Sequence, residues 1–378
     1  MDVNKVVNNN NIFIIHFSPI EDYPPAMNLL KIIAVSSEKF KIKIFTTKSL
    51  KSKPYQINNI EIKRRKNPSN LNRMLRFFFY LYFHFTVFFE LLSSKPSRIF
   101  YYETLSSLAP IIYCWLKGWR VDLHIHYHEY ATPEEYRNGM LTGRFFHYLE
   151  RKIYKKAKWI SLTNEHIVNK FILNNSIVNK GTVQSLPNFP PKDWAARTLN
   201  KIKIEKPIKF VFVGSLSNET MFYKEIAEWL LALDGKASLD IFSQQISEEV
   251  VEHINLLGNN ILHNKGIINY YDLPKVLPNY DVGLILYRGH IPNFVYNATN
   301  KLFEYLACGL DVWFPEEMLG VYDYITQGTY PKVIKIDFKN LNKYDLYELI
   351  SHDGLNYKPS TYFAEDVYEP FIKNYLLK

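Results

Sequence analysis

Cysteine is nearly absent: Cys114 and Cys308 are the only two in 378 residues. Two thiols cannot build a disulfide framework or a thiolate zinc site, so a reducing cytoplasm is the expected compartment. The first apolar run ends in His16, Phe17, Ser18 and Pro19, without G-x-G-x-x-G. Nor does G-x-x-x-x-G-K followed by Ser or Thr occur anywhere, which argues against dinucleotide dehydrogenases and P-loop NTPases. The amino-terminal stretch, with Asp2, Lys5 and an asparagine run, has no apolar h-region and no cleavage site, so no signal peptide is expected. No internal repeat stands out.

Apolar residues make up 47% of the chain and charged residues 22%, with a mean hydropathy of −0.19. These values describe a soluble globular protein rather than a disordered chain or a multi-pass membrane protein. At this length two domains are expected. Aromatic residues reach 16%, with 28 Tyr, 26 Phe and 6 Trp. Lys and Arg outnumber Asp and Glu by 46 to 37, for a net charge of +9. That excess suits a polyanion, an anionic membrane surface or a phosphorylated substrate, without choosing among them.

Short apolar runs alternate with longer amphipathic ones, twice over. In the first half strands are expected at 11–17, 41–45, 98–102, 121–127 and 159–162, with helices at 25–37, 70–93, 104–116, 143–157 and 165–173. Three prolines in 186–194 (LPNFPPKDW) break the rhythm. It restarts with strands at 208–213, 238–242, 281–287, 310–314 and 332–336, and helices at 221–233, 247–257, 300–308 and 364–377. This pattern predicts an α/β fold of two Rossmann-like, doubly wound parallel sheets facing across a cleft. The expected division is an acceptor-side domain 1–190, a linker 191–205, a nucleotide-sugar-binding domain 206–358, and a carboxyl-terminal helix 359–378 packing back on the first domain.

The most informative stretch is 293–312, NFVYNATNKLFEYLACGLDV. A helix opens there at Asn300, with Lys301 in its first turn. Spacing of three and seven puts Lys301, Glu304 and Cys308 on one face and turns Leu302, Tyr305 and Leu306 to the core. A helix amino terminus offers backbone N–H groups and partial positive charge, a natural seat for a diphosphate, and Lys301 adds a full charge. Glu304 is placed to accept from two ribose hydroxyls. On spacing alone, a solvent-facing Lys–Glu pair worth about 0.3 kcal/mol is the simpler account.

His124, His126 and His128 alternate along a strand and share one face. Metal binding is disfavoured, because neighbouring residues on one flat strand splay poorly around a tetrahedral ion and H-E-x-x-H fails at Thr132. His124 is instead expected in the sheet and His128 at its mouth. Further back, Lys63, Arg64, Arg65 and Lys66 precede a helix with Arg73, Arg76 and the aromatic run 77–83, and the sequence stays mostly apolar to Leu92. It is too interrupted for a spanning helix. Peripheral docking of 63–92 on anionic lipid and a buried helix with a charged cap are the two readings. No nucleic-acid-binding module appears.

The run from Asn300 to Val312 resembles the donor-site motif P-x-K-x-x-E-Y-x-A-x-G-x-P-V of family 4 (group 1) retaining glycosyltransferases of GT-B fold. FVFVGSL at 210–216 is similar to that family's strand and glycine loop, and Leu186, Pro187 and Asn188 to its vIPN linker. Residues 281–287 resemble the strand before its donor loop, and VDLHIHYHE at 121–129 its yDvHE strand end. The resemblance implies an enzyme transferring a sugar, of hexosyl type, from a nucleotide diphosphate donor to a lipid-linked or glycan acceptor. It implies retention, no metal and no further cofactor, and a place in surface polysaccharide or glycoconjugate synthesis at the inner face of the cell membrane. Gly214 and Ser215 would approach the phosphates, Asn300 and Lys301 would hold the leaving diphosphate, Glu304 the ribose, and His128 the sugar or the incoming hydroxyl.

The chain also departs from that pattern. Tyr296 stands where the family has the first glutamate of E-x7-E, and His126 where it has an aspartate. Proline is missing at 298–300 and at 311. The family's Arg and Lys after the glycine loop are absent; Lys224 is the nearest base and Arg288 the candidate replacement. Two other classes stay open: a non-hydrolysing nucleotide-sugar epimerase, and a degenerate GT-B subunit supporting an active partner.

Overall fold

The computed structural model describes residues 11–36, 40–177, 180–197, 207–257 and 261–377. Two compact units form, Met1–Pro187 with Ala364–Lys378, and Asn188–Phe363.

In the first unit seven strands build one parallel sheet: β1 (Asn11–His16), β2 (Lys41–Thr47), β3 (Ile60–Arg65), β4 (Arg98–Tyr102), β5 (Asp122–Tyr127), β6 (Trp159–Leu162) and β7 (Val183–Ser185), in the order β3-β2-β1-β4-β5-β6-β7. The inner strands are buried on both faces, which is why they read as unbroken apolar runs. Helices α1 (Pro24–Ser36), α2 (Arg73–Ser94), α3 (Leu108–Leu116), α4 (Pro133–Asn138), α5 (Leu141–Arg151) and α6 (Glu165–Asn175) supply the crossovers.

The second unit has its own parallel sheet of β8 (Ile208–Val213), β9 (Ala237–Phe242), β10 (Leu262–Gly266), β11 (Val282–Leu284), β12 (Asp311–Pro315) and β14 (Val333–Ile336), in the order β10-β9-β8-β11-β12-β14. A small ladder pairs β13 (Thr329–Tyr330) with β15 (Asn356–Tyr357). Its helices are α7 (Tyr223–Ala232), α8 (Glu248–Leu257), α9 (Leu273–Val276), α10 (Pro292–Tyr296), α11 (Asn300–Ala307) and α12 (Leu346–Ile350). Phe210, Trp229 and Trp313 meet at its centre, with ring centroids 5.1–6.1 Å apart.

Helix α13 (Ala364–Phe371) continues as a π turn, Ile372–Leu376. Tyr368, Phe371, Ile372 and Leu376 bury themselves among Ala26, Met27 and Leu30 of α1, so the chain ends in the first unit. The second unit begins at Asn188, and Trp194, 2% exposed, packs on Tyr270 at 4.9 Å. Residues 198–205 of the expected linker lie outside the described residues.

Several elements differ from the sequence expectation. The basic run at 63–66 is not a free prelude to a helix; Lys63, Arg64 and Arg65 belong to edge strand β3. Edge strands β7 and β10 also went unanticipated, because each carries few apolar residues and edge strands need bury only one face. The helix expected at 104–116 splits into a 3-10 turn, Thr104–Ser106, and α3. Helix α4, opened by a Thr132–Glu135 capping box, and α10 lie in segments for which no element is expected.

Both sheets reverse strand order once, between β1 and β4 and between β8 and β11. In doubly wound sheets, ligands bind outside the carboxyl ends of the strands at such a reversal.

Candidate active site

At the reversal of the second sheet, β8 hands over to Gly214, whose φ of +148° is one that L side chains rarely adopt. Its N–H donates to the Phe242 carbonyl at 3.0 Å, which leaves Ser215 exposed at the turn. The loop returns beside the end of the β11 segment, where Arg288 N–H donates to the Thr220 carbonyl at 3.0 Å.

Helix α11 stands next to that turn, and Tyr305 holds it there. The Tyr305 hydroxyl accepts the Val213 N–H at 3.1 Å. Its ring lies against Gly283, where an added Cβ would come within 2.3 Å of ring carbons, so a glycine is required in β11. One tyrosine thus ties the residue before Gly214 to the helix that carries Lys301 and Glu304. Thr299 precedes α11 in extended conformation and caps it with no side-chain bond. Leu302 N–H donates to the Thr299 carbonyl at 3.1 Å, which leaves the N–H groups of Asn300 and Lys301 to face an anion.

Lys301 Nζ lies 2.9 Å from Glu304 Oε2. The pair is not the solvent-facing one that spacing suggests: Glu304 is 3% exposed. A buried carboxylate facing one ammonium is rigid, because each group needs the other once water is gone. Asn300 begins the same helix, so Gly214, Ser215, Asn300, Lys301 and Glu304 belong to one neighbourhood of the fold.

Arg288 joins the rim of this neighbourhood but is already engaged. Its guanidinium meets both Glu225 oxygens at 2.8 Å, its Nε donates to the Asn218 carbonyl at 3.1 Å, and it lies 4.6 Å over Phe222. Lys224 is exposed on α7, 3.9 Å from Glu228. Tyr296 ends α10, and its carbonyl packs so tightly on Gly320 that a Cβ there would lie 2.2 Å away.

In the first unit His128 follows β5 and is 7% exposed. It lies between the rings of Tyr102, at 5.0 Å and 11°, and Tyr23, at 5.6 Å and 23°. His126 packs edge-on at 4.7 Å and pairs through Nδ1 with the Ser161 hydroxyl at 2.9 Å. Burial lowers His16 to about 4 and His124 and His126 to about 3, so all three are neutral at physiological pH. Among the described residues no group of three or more His, Cys, Asp or Glu is arranged to hold a metal ion.

One residue here has no sequence signal. Glu103, just past β4, adopts φ +62° and ψ 154°, a region used almost only by glycine. Its Oε1 accepts the backbone N–H groups of His128 at 2.6 Å and Glu129 at 3.4 Å. Burial pushes its carboxyl up to about 8, with Glu129 adding to the rise. A carboxyl raised above its unfolded value is protonated in the fold while the unfolded chain has lost its proton. Stability therefore falls as pH climbs from about 4.5 to 8. Glu103→Gln keeps the acceptor and removes the titration. It should gain roughly 1–3 kcal/mol on the parent between pH 5 and pH 8, the lower figure reflecting the residue's partial exposure. Paired thermal melts across that range check it; a difference that does not change with pH would contradict the assignment.

The two parallel sheets and their strand orders constitute the GT-B fold. Solved structures similar to the chain include the apo form of the lipopolysaccharide outer core galactosyltransferase WaaB, at TM-score 0.59 and 14% identity, covering 97% of this chain and 95% of that one. Anabaena HepE in complex with UDP and glucose is similar at 0.57 and 12%, covering 97% and 91%. A Listeria monocytogenes protein described as a UDP-N-acetylglucosamine 2-epimerase is similar at 0.61 and 12%, covering 96% and 94%. No family model matches the sequence, and no curated protein does.

Proposed function

We propose that the protein is a glycosyltransferase that moves a sugar, of hexosyl type, from a nucleotide diphosphate donor to a lipid-linked or glycan acceptor, with retention and without metal. The observation that carries this reading is the uncapped amino end of α11, tied by Tyr305 to the turn at Gly214, with Lys301 in its first turn. The diphosphate lies over the Gly214 turn against the N–H groups of Ser215 and Asn300, and Lys301 neutralises charge as it leaves. Glu304 shares its carboxylate between Lys301 and the ribose hydroxyls. The bond from the anomeric carbon to the diphosphate oxygen breaks, and the acceptor oxygen bonds to that carbon on the same face. The acceptor's proton passes to the departing phosphate. His128 is assigned to the sugar or the incoming hydroxyl by resemblance. Arg288 and Lys224 are secondary donor contacts in this reading, and Arg288 must share its charge with Glu225. The enzyme would work in surface polysaccharide or glycoconjugate synthesis on the cytoplasmic face of the membrane, touching it through 63–92.

HepE's complex with UDP and glucose supports a nucleotide-sugar ligand, and the Listeria structure keeps the epimerase alternative in view. Calorimetric titration with UDP, GDP and ADP tests the reading: one should bind and so name the donor's base. Binding of none would sink it and leave the supporting-subunit alternative motivated by Tyr296 and the engaged Arg288. Conversion of the sugar in donor incubated alone would instead establish the epimerase.

A further inference from the structure

Helix α2 turns Tyr80, Phe83, His84, Val87 and Leu91 inward, yet only 28% of its most apolar stretch is buried. The remainder forms a line. Leu75, Phe78, Tyr82, Phe85 and Phe89, at intervals of three and four, are 45–61% exposed. Patches of this kind on a soluble unit mark an interaction site.

A cavity of about 840 Å³ opens beside the amino end of the same helix, at the carboxyl ends of β1 to β3. Met74, Phe77, Tyr80, Leu105, Met140 and Leu141 supply its apolar wall. Four of the polar side chains around it are turned to internal partners. The Tyr80 hydroxyl donates to the Leu105 carbonyl and the Thr47 hydroxyl to the Phe17 carbonyl, each at 2.8 Å. Asn67 Oδ1 accepts the Ser69 N–H at 3.0 Å, and Asp22 Oδ1 takes the hydroxyls of Ser49 and Ser52 at 2.7 and 2.8 Å. A sugar chain needs unspent donors and acceptors; this wall offers mainly carbon.

The charge of the cavity's rim is positive. Arg73 and Arg76 line it, and among the described residues neither has a carboxylate partner. The basic run on β3 differs, with Lys63 bonded to Glu90 and Arg64 to Glu21. Arg73 and Arg76 are thus the cations that the cavity itself offers to an external anion.

We propose that this cavity is the acceptor pocket for an anionic phospholipid-type molecule, with its apolar chain on the Met74–Phe77–Leu141 wall and its phosphate between Arg73 and Arg76. The Phe78–Phe89 line rests on the bilayer from which that molecule enters. The term acceptor rests on the transferase reading; the binding itself does not.

The test uses the full chain and dihexanoyl phosphatidylglycerol, kept monomeric in water, followed by calorimetry, with zwitterionic dihexanoyl phosphatidylcholine, of zero net charge, as the comparison. Phosphatidylglycerol should bind at least tenfold tighter. Arg73→Gln with Arg76→Gln should erase that preference, and Thr142→Trp, which fills the mouth, should abolish binding of both. Phe78→Ser with Phe85→Ser should leave the short lipid bound but prevent co-sedimentation with phosphatidylglycerol vesicles. Nucleotide titration should be unchanged in all these variants, so failure of the pocket is distinguishable from failure of the transferase reading. Absence of lipid binding by the parent chain, or undiminished binding by Thr142→Trp, overturns the proposal. So does light scattering that shows a lipid-free dimer dissolved by the serine variants, which would make the line a seam between copies.

Discussion

Replacing Lys301 by methionine should cost the second unit more stability than replacing Glu304 by glutamine, although both changes break the same ion pair. Glu304 is 3% exposed, so the methionine variant leaves a buried carboxylate without its cation, at roughly 2–4 kcal/mol. The glutamine variant leaves a lysine whose side chain is 23% exposed and can turn to water. Combining the two should recover most of the loss, because no buried charge remains. Nucleotide affinity should behave differently: each single variant and the combination should bind the cognate nucleoside diphosphate about 10- to 100-fold more weakly, the worth of one or two charge-assisted bonds. Thermal melts and calorimetric titration on the same three variants separate the outcomes. Unchanged affinity in the combined variant would reduce Lys301 and Glu304 to a structural pair.

The first unit should hold its stability near neutrality and lose it through mild acid. His16, His84, His124 and His126 are buried and lowered to between about 3 and about 4. Each is neutral in the fold while the unfolded chain takes up a proton below pH 6.5, so their stabilisation is complete above that pH and drains away as pH falls toward 3–4. By pH 5 each has lost about 2 kcal/mol. Glu103, raised to about 8, and Glu150, raised to about 7 by burial among Tyr101, Thr104 and Tyr154, act in the opposite sense and recover stability on the way down from pH 8. That offset is used up near pH 5. Below it the four histidines, with His147, which burial also lowers to about 4, act against a domain stability of roughly 5–15 kcal/mol. Melting temperature should therefore stay nearly level from pH 8 to about 6.5 and fall progressively below, more steeply in Glu103→Gln, which lacks that part of the offset. A decline centred instead on pH 4 in both proteins would show ordinary surface carboxylates in control.

Helix α11 shows how far periodicity reaches. Its span, the buried side of Leu302, Tyr305 and Leu306, and the shared face of Lys301 and Glu304 all follow from a 3.6-residue repeat. The inner strands likewise follow from unbroken apolar runs, because strands covered on both faces have no polar side to show. Edge strands β3, β7 and β10 carry mixed residues and leave no such trace.

The alternation of strand and helix, the two-sheet class and the α11 face were therefore decided by local pattern, since each depends only on residues a few positions apart. Tertiary structure alone decided which charges meet. It spent Arg64 on Glu21 and Arg288 on Glu225, brought Glu103 under the His128 backbone, returned Tyr368 and Phe371 to α1, and left Arg73 and Arg76 at a cavity. Those partners are distant in the chain, and Coulomb and desolvation energies depend on distance and burial in space, which no spacing rule encodes.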